Sequence, residues 1–266
     1  MTRSATLGEP QMTPLWRQRR WVVGHLICLA LITVFVNCGL WQLSRLHERR
    51  ERNHLQAARM AAIAQPLDRV VTSVGPDLDE ARFRRVSVTG DWLAEGTLLV
   101  RSRSLNQRAG YHVLGIVVTR PGHGVVINRG FAPVGGGGED AIRTSLSATG
   151  PVRLTGIVRA SEVRGSIGPK DPSTGRLTVL NRVDVGRIQQ QTGVTLAPVF
   201  VQLSSVSPAP ALPQVLPLPD TSDEGPHLDY AGQWFLFATI GSIGWPFVVR
   251  RAVRADRGEI VDTPAD

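Results

Sequence analysis

Two long apolar runs bracket a chain whose middle follows a different period. The first, Trp21 to Leu43, is 23 residues without a formal charge, interrupted only by His25, Asn37 and Gln42. The second, Tyr230 to Val249, is 20 residues, also without a formal charge. At about 1.5 Å per residue a helix of about 20 residues covers roughly 30 Å, the thickness of a bilayer core. Each run therefore predicts a transmembrane helix. The first exceeds the apolar core of a cleaved signal peptide and ends in Gly39-Leu-Trp-Gln-Leu rather than a small-x-small site, which predicts a retained anchor. Beyond Leu43 the spacing of Leu46, Leu55, Ala58, Met60 and Ala62 stays helical up to Pro66, so that helix is expected to continue outward by several turns.

From Leu67 to about Pro219 the period shifts toward two, and Gly and Pro punctuate short β-rich runs. Strands are expected near Arg85 to Thr89, Thr97 to Arg101, His112 to Thr119, Gly124 to Asn128, Val152 to Arg159 and Val199 to Ser204, closing as a barrel or as a curved sheet. One helix is expected at Asp184 to Thr192, with Asp184 as N-cap and Gly193 as the stop. The glycine run within Pro133 to Glu139 lacks the Gly-Lys-Ser/Thr ending of a phosphate loop and reads as a flexible hairpin tip. Pro208 to Pro219 reads as a stiff, extended return toward the membrane.

The expected class is thus an α+β membrane protein, two transmembrane helices flanking a β-rich, barrel-like extracytoplasmic domain. Its divisions are a cytoplasmic tail (1–20), the first transmembrane helix (21–43), a helical extension (44–66), the β-rich domain (67–219), an acidic linker (220–229), the second transmembrane helix (230–249) and a cytoplasmic tail (250–266).

Charge orients this arrangement. The net charge of +8 is concentrated partly in Arg17, Arg19 and Arg20 before the first span and in Arg250, Arg251, Arg254 and Arg257 after the second. Short basic flanks stay in the cytoplasm, so both termini are expected inside a bacterial plasma membrane and His227 outside, at the membrane surface. No DNA- or RNA-binding motif accompanies the charge, and nucleic acid is not an expected partner.

Candidate chemistry is sparse. The only cysteines, Cys28 and Cys38, lie ten residues apart in the first span. On one helix that spacing puts them about 15 Å apart, too far to bridge each other. His47 and His54 share a helix face without a third ligand, which reads as a solvated face rather than a zinc site. No Gly-x-Ser-x-Gly turn, His-Glu-x-x-His pair, nucleophilic cysteine or distinctive carboxylate pair occurs in the middle domain, so neither catalytic residues nor a metal site are expected. His112 and His123 read as structural or exposed.

Four blocks stand in order along the chain: Gly39-Leu-Trp41-Gln42-Leu-Ser-Arg45; Arg84-Arg-Val-Ser-Val-Thr-Gly90 followed by Gly110-Tyr111; Val126-Ile-Asn128-Arg129-Gly130-Phe131-Ala-Pro133; and His227-Leu-Asp-Tyr230-Ala-Gly-Gln233-Trp234-Phe235. Together they resemble the Surfeit locus protein 1 family. Gly232 within the last block and Arg49, where a lysine is frequent, depart from the family pattern. The resemblance implies a non-enzymatic assembly factor for cytochrome c oxidase that assists haem a insertion into, or stabilisation of, the large subunit. Its implied partners are that subunit, the haem-delivery machinery and the lipid bilayer. It also implies His227 as the axial-ligand candidate for transiently held haem a, with Tyr230 and Trp234 offering apolar surface. Trp41, Gln42, Arg45, Asn128, Arg129, Gly130, Gln233 and Phe235 are then the partner or interface candidates.

The residues themselves leave alternatives open. His227 can ligate iron or hydrogen-bond its surroundings, and Arg129 can form a structural ion pair or a partner contact. Small residues Gly232, Gly241, Ser242 and Gly244 permit close helix approach. A structural membrane protein of another envelope complex, without haem, is the competing reading, and an unrecognised extracytoplasmic enzyme the third.

Overall fold

The computed structural model describes residues 18–135, 138–146, 149–166, 168–207 and 213–256. Most of the expected N-terminal tail, the C-terminal tail beyond 256, residues 136–137 of the glycine run and residues 208–212 of the proline-rich segment lie outside the described residues. The chain divides into two compact units, Met1–Asn53 with Ser222–Asp266, and His54–Thr221.

The first unit consists of α1 (Arg19–Ala61, as far as Asn53) and α5 (His227–Asp256). Both helices are long and apolar enough to cross a membrane, and they carry their apolar side chains outward, with Leu29 and Phe247 exposed. They run antiparallel: Gly24 meets Trp245, Cys28 meets the Gly241 carbonyl, Phe35 stacks on Trp234 and Gly39 meets Phe235, so residue numbers rise along one helix as they fall along the other. Trp21, Cys28, Phe35, Gln42 and Arg49 recur every seventh residue of α1 and lie along the seam, as do Trp234 and Gly241 of α5. That period keeps one narrow stripe of each helix against its neighbour. Close approach depends chiefly on glycines of α1. A Cβ at Gly24 or Gly39 would sit 2.7 Å from an aromatic ring. Of the small residues expected to serve this role in α5, Gly241 faces Ile32 while Gly232 and Gly244 face open space.

The second unit is built on β2 (Arg85–Trp92), β3 (Leu98–Leu105), β4 (Arg108–Arg120), β5 (His123–Pro133), β6 (Gly150–Ala160) and β8 (Thr195–Ser207), with two-residue strands β1 (Gln65–Pro66) and β7 (Val179–Leu180). Strands β2, β6, β8, β5 and β4 pair in that order, and β4 pairs back onto β2, closing a five-stranded barrel. Only β5 and β8 run parallel within it. All six strands expected from alternation are present, each longer than its apolar stretch because the ladder extends into polar flanks.

Alternation sorts the strands' side chains into two cores. Val86, Val88, Val117, Val125, Ile127, Leu154, Val158 and Val201 meet inside the barrel. Leu114, Ile116, Val126 and Phe200, on the opposite face, pack with Leu98, Leu180 and Ile188 under α4 (Val185–Gln189). Helix α4 begins where expected, the Asp184 carboxylate accepting from Arg187 N at 2.9 Å. Two helices were not legible. In α2 (Leu67–Val74), Leu67, Val70 and Val74 share one face and join the inner core. Helix α3 (Gly138–Leu146) follows β5 directly, so the glycine run links a strand to a helix and is not a hairpin tip. Glycine is needed there because a Cβ at Gly138 would overlap the Pro133 carbonyl.

Candidate functional site

His227 is the first residue of α5, opposite Gln42 on α1. Its Nδ1 lies 2.9 Å from the Gln42 side-chain oxygen. A carboxamide oxygen only accepts, so Nδ1 carries the proton and donates it. In the neutral ring the lone pair is then on Nε2, which has no hydrogen-bond partner among the described residues. Gly225, with φ of 71°, adjoins that edge, and a Cβ there would stand 3.6 Å from Nε2. The positive φ favours glycine there, and glycine sets no side chain against the Nε2 edge.

The segment entering α5 is tied to α1 just beyond Gln42. Arg50 grips Glu224 with two parallel hydrogen bonds, Nε to Oε1 at 2.8 Å and Nη2 to Oε2 at 2.7 Å. Arg49 reaches both the carbonyl and the carboxylate of Asp223, and buried Asn53 donates to the same carbonyl at 2.9 Å. The hydrogen bond and charge of Glu224 raise the Arg50 pKa. Each exposed ion pair is weak alone, but together they set where the chain re-enters the helix and hence where His227 stands.

The other expected residues of this unit divide by exposure. Tyr230 is 47 % exposed and Trp41 54 %. Arg45 lies over the Trp41 ring at 5.6 Å and pairs with Glu48 at 2.9 Å. Trp234 is half-buried, its ring stacked on Phe35 at 5.7 Å and edge-on to Phe237 at 6.1 Å, and Phe235 fills the space left by Gly39. These two rings hold the helix pair together. Gln233 is exposed.

In the barrel, Asn128, Arg129 and Gly130 form a β-bulge. Leu114 pairs with Asn128 and Val113 with Gly130, leaving Arg129 unpaired in the ladder. Gly130 has φ of 140° and abuts the Gln214 backbone, where a Cβ would collide with the carbonyl. Phe131 and Gln214 exchange backbone hydrogen bonds there, at 2.7 and 3.0 Å. Arg129 is buried, its guanidinium 4.5 Å from the Trp92 ring centroid, and donates to the Ser145 carbonyl at 3.1 Å. Ser145 lies in the last turn of α3, where carbonyls lack helical partners and carry the negative end of the helix dipole. Among the described residues Arg129 forms no ion pair; an aromatic face and a helix end stabilise its charge instead, while burial lowers its pKa.

Asn128 closes the bulge from its other side. Its oxygen accepts from Gly130 N at 3.2 Å and its nitrogen donates to His112 Nδ1 at 3.3 Å. His112 is thereby held neutral, and burial, aided by the Arg103 charge, lowers its pKa to about 4. Arg103 itself pairs with Glu162 at 2.6 Å. No group of three metal-ligating side chains occurs among the described residues, and His47 pairs with Glu51 at 3.1 Å. A cleft of about 420 Å³ lined by Leu93, Thr97, Arg176 and Gln191 has only the Glu95–Arg176 pair as ionisable groups.

Sequence reading missed the partners rather than the residues. Trp92, Ser145 and Gln214 carry no motif, and they meet Arg129 and Gly130 only after barrel closure. The matched pairs Arg49-Arg50 and Asp223-Glu224 were a usable signal for the clamp, once the two spans were taken as neighbours.

Comparison with known proteins agrees with the four blocks. The SURF1 family model matches residues 29–239. The chain is 28 % identical over 246 residues to uncharacterized SURF1-like proteins of Mycobacterium tuberculosis and Mycobacterium bovis, covering 90 % of this chain and 88 % of each relative. It is 25 % identical to a SURF1-like protein of Monosiga brevicollis, covering 84 % of this chain and 86 % of the relative. The chain therefore belongs to the SURF1 family, the Surfeit locus protein 1 family, whose members are known as cytochrome c oxidase assembly factors.

Proposed function

We propose that this protein is a non-enzymatic assembly factor of a bacterial plasma membrane that holds haem a as cargo for the large subunit of cytochrome c oxidase. One observation carries the reading: at the start of the second apolar helix, the His227 imidazole has Nδ1 committed to Gln42 and Nε2, beside a glycine, without a hydrogen-bond partner among the described residues. Neutral imidazole is a common axial ligand of haem iron. The residues fit the group in two respects. A nitrogen lone pair is free, and exposed Tyr230, one turn further along α5, offers a flat apolar face beside it. Trp234 supports the site by packing α5 on α1. In this reading both termini are cytoplasmic and the barrel is extracytoplasmic, where it shields the nascent subunit.

The test is the absorption spectrum of the full chain, purified in mild detergent from a host that makes haem a, beside His227→Ala. Wild type is expected to carry haem and the variant to lose most of it; equal haem in both removes His227 from the role. Deleting the gene is expected to lower assembled oxidase, and normal oxidase content in the deletant would sink the assembly reading.

A further inference from the structure

We infer that Gln42 is a positioning residue that sets the tautomer of His227, holding the proton on Nδ1 so that Nε2 faces outward as an iron ligand. This rests on His227 being the haem ligand, as proposed above.

A histidine outside a defined hydrogen bond distributes its proton between two nitrogens, and only the unprotonated one can bind a metal. Which nitrogen is free is decided by what the other one touches. At His227 that contact is the Gln42 oxygen at 2.9 Å. Gln42 is not a chance neighbour. It occupies the seam stripe of α1, one heptad after Phe35 and one before Arg49. Phe35 is stacked on Trp234 at one side of it, and Arg49, Arg50 and Asn53 hold Asp223 and Glu224 at the other. Both ends of the short stretch carrying His227 are thus anchored to the helix that carries Gln42. Gly225, beside the ring, sets no side chain against the Nε2 edge. Donation from the second ring nitrogen to an oxygen also makes the first a stronger donor, and loss of such a partner typically weakens metal binding about ten- to hundredfold.

Two measurements on the detergent-solubilised full chain test this. The first needs no haem: nitrogen NMR of the chain labelled at histidine, with His227→Ala identifying the resonance. Wild type is expected to show the Nδ1-protonated tautomer, and Gln42→Leu a shift toward the Nε2-protonated form. An Nε2-protonated His227 in wild type overturns the inference even if Gln42→Leu folds poorly.

The second is titration with ferric haem, with spectra and midpoint potentials recorded for wild type, Gln42→Leu, Gln42→Glu and His227→Ala. Gln42→Leu is expected to bind about ten- to hundredfold more weakly. Gln42→Glu keeps an acceptor, restores affinity and shifts the potential below that of wild type, which loss of helix packing would not do. Wild-type affinity and potential in Gln42→Leu, with binding lost in His227→Ala, overturns the role of Gln42 and leaves the ligand intact. Unchanged binding in His227→Ala overturns the ligand reading itself, whichever tautomer is found.

Discussion

The helix pair and the barrel each hold a histidine against a carboxamide, with opposite polarity. In the helix pair the Gln42 oxygen faces His227 Nδ1, so the ring donates and keeps a lone pair free. In the barrel the Asn128 nitrogen faces His112 Nδ1, so the ring accepts and its remaining nitrogen bears the proton. The barrel arrangement uses the lone pair to brace a bulge; the helix arrangement leaves one unused. Under the proposed function, that unused lone pair is what separates the helix-pair histidine from the one in the barrel.

The sharpest way to break this comparison is to delete each ring. His227→Ala is expected to remove most bound haem, whereas His112→Ala leaves it in place and only loosens the bulge; equal losses in absorption spectra would erase the distinction. Next in size is Gly130→Ala. A backbone strained at φ of 140° and a Cβ driven against Gln214 are expected to cost the barrel about 2–5 kcal/mol together, read by denaturant unfolding. A melt equal to wild type would show that the bulge can relax.

Gly39→Leu probes the other region. It forces a side chain into the Phe235 ring and is expected to destabilise the helix pair by about 1–3 kcal/mol, read as reduced protection of α5 amides in hydrogen exchange while barrel amides stay protected. Equal protection in both regions would deny the seam its role.

The last effect is that of pH. The folded pKa of His112, about 4, lies below the ordinary 6.5, so between those values the unfolded chain binds more protons. Barrel stability attributable to His112 is therefore fully present above pH 6.5 and is lost as pH falls toward 4. His112→Gln is expected to flatten that part of the stability profile; an identical slope would mean other groups titrate there.

Local patterning determined much of this protein by itself. Two uncharged runs of sufficient length specify apolar helices, because such stretches can satisfy their backbone internally and hide no side chain from lipid. A period near two, with Gly and Pro punctuating β-rich runs, specified six strands, and a single carboxylate, Asp184, marked the start of α4. Residues of the site blocks were visible as well, His227 and Arg129 among them. What each touches was not, because hydrogen bonds such as Gln42 to His227 join positions 185 residues apart.

Tertiary structure alone decided three matters. It closed the barrel through β2 and β4, a pairing that depends on strand tilt and length rather than on composition. It gave Arg129 a ring and a helix end in place of a carboxylate, because the bulge turns that side chain toward Trp92 and α3. It also set the Gln42 oxygen against Nδ1 of His227. A histidine's sequence position says nothing of which nitrogen is free, since that depends on the atom set against the other one, and only the packing of two antiparallel helices supplies it.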